Sequence, residues 1–542
     1  MGEWWRGAVV YQIYPRSFQD DSGDGIGDLA GITRRLPHVA ELGCDAIWLS
    51  PIFTSPMADM GYDVSDYTNI DPLFGTLADF DALVARAHGL GLKVIIDQVL
   101  SHTSDRHPWF AESRQNRANP KADWYVWADP QPDGTPPNNW PSVFGGPAWE
   151  WDTRRRQYYL HNFLTSQPDL NFHCPAVQDA LLDTMRFWLD RGVDGFRLDT
   201  VNYYFHDARL RPNPPFPQPD GRPAVNPYEM QEHLFSKTQP ENIPFLKRMR
   251  ALTDRYGARA MVGEVGESQR SLAVMEEYTR GTDRLHMAYS FDMLGPQFTP
   301  AHFRKQIEGF FAGAPDGWPW WSFSNHDVTR HASRWAGHGP DTDAVARLAI
   351  AMLVGFQGTI GLYQGEELGQ TETDLTYEEI TDPPGLKFWP ENKGRDGCRT
   401  PMVWERGAPT GGFSAAKPWL PVKPPQLARA VDAQRAAPGS VLAAYRAALA
   451  FRRAEPALRE GATRFLDLPA PVLAFRRVWD GRAVTCVYNL SPQSVTLRLG
   501  GPATPVGPAE GCTRAGDRLT LAPCGYGFFA SPEGAPPALA PA

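Results

Sequence analysis

Eight short apolar runs recur through the first two thirds of this chain, and amphipathic helical patterns lie between most of them. The runs begin near Val9, Asp45, Val94, Gly195, Ala260, Met287, Trp320 and Gly358. Helical spacing is plain at residues 79–89, 180–191 and 343–355, and Gly192 supplies a stop signal after the second of these. Strands that alternate with helices return by crossover and pair in parallel. Eight such units predict an α/β fold, a (β/α)8 TIM barrel. In such barrels the chemistry collects at the carboxyl ends of the strands. Ionisable residues fall there: Asp97 and His102 after the third run, and Arg197 and Asp199 at the end of the fourth. Glu264 ends the fifth, and His326 and Asp327 follow the seventh.

Three segments interrupt the alternation. Residues 103–172, rich in Trp, Pro and Asn, form an inserted B domain, a small lobe over the barrel mouth after the third strand. Residues 202–244 are Pro-rich with several aromatics and read as a lid loop. The loop after the eighth strand, 364 to about 438, is also long. The barrel proper takes residues 1–102 and 173–461. From 462 the pattern alternates with period two, which predicts a C-terminal antiparallel β domain, a β-sandwich over 462–542. The Pro/Ala tail at 534–542 is expected to be disordered.

The formal net charge of −9 argues against nucleic acid or an anionic membrane surface as partner. The six cysteines lack C-x-x-C spacing, so free thiols in a reducing compartment are expected, with a Cys512–Cys524 bridge left open. No signal-peptide pattern is read at the N-terminus. The most apolar stretch, 348–363, is broken by Gln357 and three glycines and reads as a buried helix followed by a strand. These features predict a cytoplasmic protein, a monomer or homodimer, with no membrane partner.

The segment Val193–Asn202 carries the sharpest chemical signal. Arg197 and Asp199 share one face of a strand, where a fixed positive charge would keep Asp199 ionised, as a nucleophile requires. Alone, such a pair reads as well as a structural ion pair. Its companions are D97-Q-V-L-S-H102, V262-G-E264, F323-S-N-H-D327 and Q167-P-D-L-N171. In this order the chain resembles glycoside hydrolase family 13, the α-amylase family, in its α-glucosidase and oligo-1,6-glucosidase branch. The resemblance implies Asp199 as nucleophile, Glu264 as general acid/base and Asp327 as a third carboxylate favouring the transition state. Two carboxylates at neighbouring strand ends suit a retaining glycosidase. It further implies that His102 and His326 hydrogen-bond the terminal glucose and that Asp59 and Tyr62 close the pocket behind it. Arg399 would bind at the pocket, Phe144, Phe163 and Gln167 would form its walls, and Arg197 would sit beside the nucleophile. Asp97 would orient rather than react. Thr200 stands where α-1,6-specific relatives tend to carry Val. Ser101 departs from the family's usual Asn, which bears on the hydrogen bonding behind the site.

The expected activity is exo-acting, retaining release of α-glucose from short α-1,4-linked glucosides such as maltose, with transglucosylation. The alternative is a sucrose isomerase or trehalose synthase type of transglucosylase, although the basic, aromatic loop patterns of a sucrose isomerase are not evident. A non-enzymatic reading, the heavy chain of amino-acid transporters, would need a membrane helix. No organic cofactor is expected. The run D20-D-S-G-D-G-I-G-D28 offers oxygens from Asp20, Ser22, Asp24, Asp28 and the Ile26 carbonyl, a set suited to structural Ca²⁺ and less well to Mg²⁺. Position twelve of that run is Gly31, so it is no EF-hand. The family carries a metal loop here with Asn in place of Ser22, and a solvated acidic turn is the competing reading.

Overall fold

The computed structural model describes residues 3–217 and 224–542. Eight parallel strands form its centre: β1 (Val9–Ile13), β2 (Ala46–Leu49), β3 (Lys93–Gln98), β4 (Gly195–Leu198), β5 (Ala260–Val265), β6 (Met287–Ser290), β7 (Trp320–Ser322) and β8 (Thr359–Tyr363). They pair in chain order from β1 to β6, β8 joins β1 to β7, and a parallel bridge from Ala288 to Pro319 closes the ring. This is the TIM barrel that the alternation predicts.

The period of two sorts the strand residues. Tyr11, Ile13, Ile47, Leu49, Ile96, Phe196 and Leu198 face outward into the core shared with the helices. Val10, Ala46, Trp48, Ile95, Val262, Met287 and Trp320 fill the inside. Register places Asp97 beside Arg197 and Glu264 beside Tyr289, so the interior turns from apolar to ionic toward the carboxyl ends. The stretch 348–363 splits as expected, into the end of helix Thr342–Gly355 and then β8.

After β3 comes a helix, Pro108–Ser113, and a small antiparallel sheet in which Gln157–Leu160 pairs with Trp127–Ala128 and Trp149–Asp152. It has its own apolar cluster around Val126, Trp140, Trp149 and Leu160. The segment after β4 is tied to it: Trp140 Nε1 donates to the Arg211 carbonyl (2.9 Å) and Asn226 Nδ2 to the Val143 carbonyl (2.7 Å). Of the expected lid loop, residues 218–223 lie outside the described residues.

From Ala462 onward the strands are antiparallel. The fifteen-residue strand Arg518–Pro532 pairs with Arg482–Asn489 over its second half and with Val495–Gly500 over its first. Val472, Val487, Leu497, Leu519, Leu521 and Phe529 pack together there. Two buried arginines fasten the end of helix Thr342–Gly355, Arg452 from within the barrel and Arg477 from this region. Arg452 donates to the carbonyls of Val354 (2.7 Å) and Gly358 (2.6 Å), and Arg477 to that of Gly355 (2.7 Å). They satisfy carbonyls left unpaired where helix Thr342–Gly355 ends. The tail departs from expectation: Ala538–Pro541 is a strand paired with Val495–Gly500, and Leu539 packs on the apolar cluster. A free strand edge supplies backbone partners to a segment whose composition alone offers no reason to order.

All six cysteines are free, and Cys512 is not bridged to Cys524. Among the described residues no helix is long and apolar enough to cross a membrane, so the requirement of the transporter reading is not met there.

Candidate active site

A cavity of about 210 Å³ opens at the carboxyl ends of the strands. Asp199, Glu264, Asp327, Asp59, Tyr62, His102, Thr200, Phe144 and Phe163 line it, as expected from the sequence. Val143, Tyr203, Gly266, Phe291 and Arg395 line it as well, unanticipated as wall residues. Arg197, Gln167, His326 and Arg399 lie behind that lining and act on it through hydrogen bonds.

Arg197 organises the floor. Its Nη1 donates to Asp97 Oδ1 (2.9 Å) and Asp199 Oδ1 (2.7 Å), and its Nη2 bonds Glu264 Oε1. The guanidinium is fully buried and rests on the Trp48 ring, 4.9 Å from its centre. One fixed charge thus faces three carboxyls. Burial lifts Asp97 to about 6, and Asp199 and Glu264 each to about 7, against the pull of Arg197. Ionised Asp199 also disfavours the charge on Glu264, so the two carboxyls titrate as a pair. The sequence-based expectation that Arg197 simply keeps Asp199 ionised covers only one side of this balance.

Asp327 differs. Burial opposes its ionisation, but His326, Arg395 and Arg399 outweigh it and hold the carboxyl well below the usual range. Burial also strips His326 of its proton, so the two arginines carry the lasting charge. Arg395 Nη1 and Arg399 Nη2 both donate to Asp327 Oδ1, at 3.2 and 3.0 Å. Arg395 Nη2 also donates to Asp59 Oδ1 (2.9 Å), an ion pair within the cavity lining. Gln167 Nε2 reaches Asp59 Oδ2 (3.0 Å). Arg399 instead donates to the His326 carbonyl (2.7 Å) and does not line the cavity. In the R395-D-G-C-R399 segment the first arginine is therefore the wall residue; its neighbours in sequence gave no sign of which guanidinium would face the cavity.

Neutral His326 takes part in a directed chain. Gln12 donates to its Nδ1 (2.8 Å), its Nε2 donates to the Tyr62 hydroxyl (2.6 Å), and that hydroxyl donates to Asp97 Oδ2 (3.2 Å).

Thr200 links Asp199 and Glu264. Its backbone is left-handed (φ 39°, ψ 48°), which costs a β-branched residue of order 1–3 kcal/mol. In that conformation its N–H donates to Glu264 Oε2 (3.1 Å) and its hydroxyl to Asp199 Oδ2 (3.2 Å). The outer wall is apolar. The Phe144 and Phe163 rings meet edge to face at 5.5 Å, Tyr203 sits 5.7 Å from Phe163, and the Arg395 guanidinium covers Phe144 at 5.0 Å. A Cβ on Gly266 would come within 2.9 Å of the Tyr203 ring, so that residue type permits the packing. Tyr203 and Phe291 are common aromatics in unremarkable contexts, and no sequence signal marked them.

The acidic loop lies apart from the cavity lining. Asp20 accepts from the amides of Gly23 (2.6 Å) and Gly25 (2.8 Å) and from Ser414 (2.6 Å). Asp28 accepts from the amides of Asp21, Ser22 and Gly31, capping helix Leu29–Leu42. Among the described residues no three His, Cys, Asp or Glu side chains converge as metal ligands.

The pattern described as the alpha amylase catalytic domain matches residues 12–461. A probable alpha-glucosidase of Rhizobium meliloti (strain 1021) is 59% identical over 515 residues, covering 94% of this chain and 93% of that one. An oligo-1,6-glucosidase of Heyndrickxia coagulans is 36% identical over 535 residues, covering 92% and 94%. Among solved structures, an alpha-glucosyl transfer enzyme, XgtA, superimposes with a TM-score of 0.95 at 54% identity, over 98% of this chain and all of that one. Fold, floor chemistry and likeness along most of the length agree: the chain belongs to the α-amylase family, glycoside hydrolase family 13, in its α-glucosidase branch.

Proposed function

We propose that this glycoside hydrolase is an exo-acting, retaining α-glucosidase that releases α-D-glucose from the non-reducing end of short α-1,4-linked glucosides such as maltose. The observation that carries the reading is one guanidinium, Arg197, bonded to both Asp199 and Glu264 on adjacent strands. Two carboxyls so tethered are compatible with the separation of about 5–5.5 Å that a covalent glycosyl-enzyme requires. Asp199 attacks the anomeric carbon while Glu264 protonates the departing oxygen. Glu264 then deprotonates the incoming water or sugar hydroxyl that releases glucose from Asp199. Asp327, held ionised, accepts hydrogen bonds from ring hydroxyls and favours the cationic transition state. The Asp59–Arg395 ion pair in the lining supports a pocket that takes one terminal glucose at a time.

A second reading, transfer of the glucosyl group to an acceptor, is favoured by the apolar outer wall of Val143, Phe144, Phe163, Tyr203 and Phe291, which disfavours water at the mouth. Incubation with maltose, isomaltose, sucrose and trehalose tests both, with free glucose and new disaccharides followed by chromatography. NMR of the first product should show the α anomer, and an initial β anomer would rule the covalent route out. Isomaltose cleaved faster than maltose would overturn the linkage assignment.

The loop 20–28 is read as a structural Ca²⁺ site, with Mg²⁺ the weaker choice. Its donors are all oxygens, which suits a hard cation, but the Asp20 carboxylate already accepts from Ser22, Gly23, Gly25 and Ser414, so it would have to exchange one of these bonds for the metal. Asp20, Ser22, Asp24, Asp28 and the Ile26 carbonyl would hold it, and its contribution would be to stability alone. A cytoplasmic location and a monomeric or dimeric state complete the proposal; sedimentation velocity tests the latter.

A further inference from the structure

Ser101 is buried beside the pocket, and its hydroxyl joins two residues of the site. It lies 2.9 Å from His102 Nδ1 and 3.1 Å from Thr200 Oγ1. Counting protons fixes the directions. His102 Nε2 is 2.9 Å from the Tyr62 carbonyl, a contact that needs a proton on Nε2. Burial lowers His102 to about 4, so the ring is neutral and Nδ1 is an acceptor. The Gln167 amide nitrogen also lies 3.2 Å from Nε2, but its two hydrogens have acceptors in Asp59 (3.0 Å) and the Tyr62 carbonyl (3.4 Å), and its oxygen accepts from Leu164 N–H (2.9 Å), so Nε2 keeps its proton for the shorter contact to that carbonyl. Ser101 therefore donates to His102 Nδ1 and can only accept from Thr200. The single proton of the Thr200 hydroxyl then has two acceptors at nearly equal range, Asp199 Oδ2 at 3.2 Å and Ser101 Oγ at 3.1 Å.

We infer that Ser101 is a positioning residue for the nucleophile: it offers the Thr200 hydroxyl an alternative acceptor, so that this hydroxyl donates to Asp199 as a carboxylate and turns to Ser101 when Asp199 carries the glucosyl group. The inference rests on the reading of Asp199 as nucleophile. Its chemistry is that of donor strength. A carboxylate is a much stronger acceptor than an ester oxygen, so a donor locked on Asp199 favours the free carboxylate and weakens it as a nucleophile. A donor with an exit follows the charge through both half-reactions. No proton is transferred; one hydrogen bond exchanges for another.

The test is the pH dependence of kcat/KM on an aryl α-glucoside, whose acid limb follows the free enzyme's nucleophile. Arg197, Asp97, Glu264, Asp327, Tyr62, Tyr67 and Tyr204 also face Asp199, and none of them is altered. Ser101→Ala should lower kcat/KM about three- to tenfold, the range of one hydrogen bond, and move the acid limb to lower pH. Thr200→Val, which removes the donor, should move it to higher pH. The double variant should follow Thr200→Val alone, because Ser101 acts only through Thr200. Ser101→Thr keeps the hydroxyl and should keep the wild-type limb. If Ser101→Ala does not fold, Ser101→Cys, with a weakly accepting sulfur, carries the same expectation. An unmoved limb in Ser101→Ala, a shift in the same direction as Thr200→Val, or additive shifts in the double variant would each overturn the inference. Labelling wild-type enzyme with 5-fluoro-α-D-glucosyl fluoride separates the two levels: a label elsewhere than Asp199 defeats the nucleophile assignment itself.

Discussion

The floor and the outer wall of the cavity are built on opposite principles. The floor consists of charges taken out of water at or just beyond the ends of β3, β4, β5 and β7, each held by others: Arg197 by three carboxyls, Asp327 by two guanidiniums. The wall consists of aromatic edges and faces from loops outside the barrel strands, held by packing. A buried charge that loses its partner keeps its full desolvation cost, whereas an aromatic wall losing one ring re-packs or admits water. The floor should therefore fail abruptly under substitution and the wall should adjust.

The largest effect expected is at the two reacting groups. Asp199→Asn and Glu264→Gln should each bring turnover of maltose below about a hundredth while the fold persists by circular dichroism. Residual activity above that level in either variant would remove its role. Arg197→Met comes next and probes the floor as structure. It leaves Asp97, Asp199 and Glu264 without their common cation and should destabilise the protein by about 3–5 kcal/mol, read by denaturant unfolding. Phe144→Ala, the matching test of the wall, should cost less stability and should change leaving-group preference more than it changes turnover of an aryl glucoside. Equal losses from the two substitutions would break the comparison.

The pH profile sharpens it further. With Asp199 and Glu264 both raised to about 7, the competent state holds one proton between them. As pH falls Asp199 becomes protonated and cannot attack; as pH rises Glu264 loses the proton it must donate. kcat/KM should be bell-shaped around neutrality, and Glu264→Gln should abolish the alkaline limb of any residual activity on an activated substrate. A flat profile between pH 5 and 9 would contradict the paired titration.

A smaller effect belongs to Thr200, where floor and wall meet. Thr200→Val keeps the volume and removes one hydroxyl contact of about 0.5–1.5 kcal/mol, so the maltose-to-isomaltose rate ratio should move toward isomaltose by about three- to tenfold. The smallest effect on activity is expected from the loop 20–28. A chelator should lower the melting temperature by linkage, with little change in initial rate at low temperature. Immediate loss of activity in a folded protein would assign the metal to chemistry instead.

Much of this molecule was legible in the chain. Alternation of apolar runs with helical spacing is a local property, and it determined eight strands, a parallel sheet and the ionisable residues at their ends, from which the family resemblance singled out Asp199, Glu264 and Asp327. Period two from residue 462 determined the antiparallel region for the same reason. What only the tertiary structure decided depends on segments far apart in sequence meeting in space. Arg395, rather than Arg399, faces the cavity because Asp59 and Asp382 both reach its guanidinium. Tyr203, Phe291 and Gly266 became wall because loops after β4, β5 and β6 converge. The tail at 538–541 became a strand because the edge of Val495–Gly500 was open to it. The protonation of the floor was the least visible in the sequence. It is set by how many carboxyls share Arg197 once water is excluded, and that number is fixed by the barrel closing, not by any residue's neighbours in the chain.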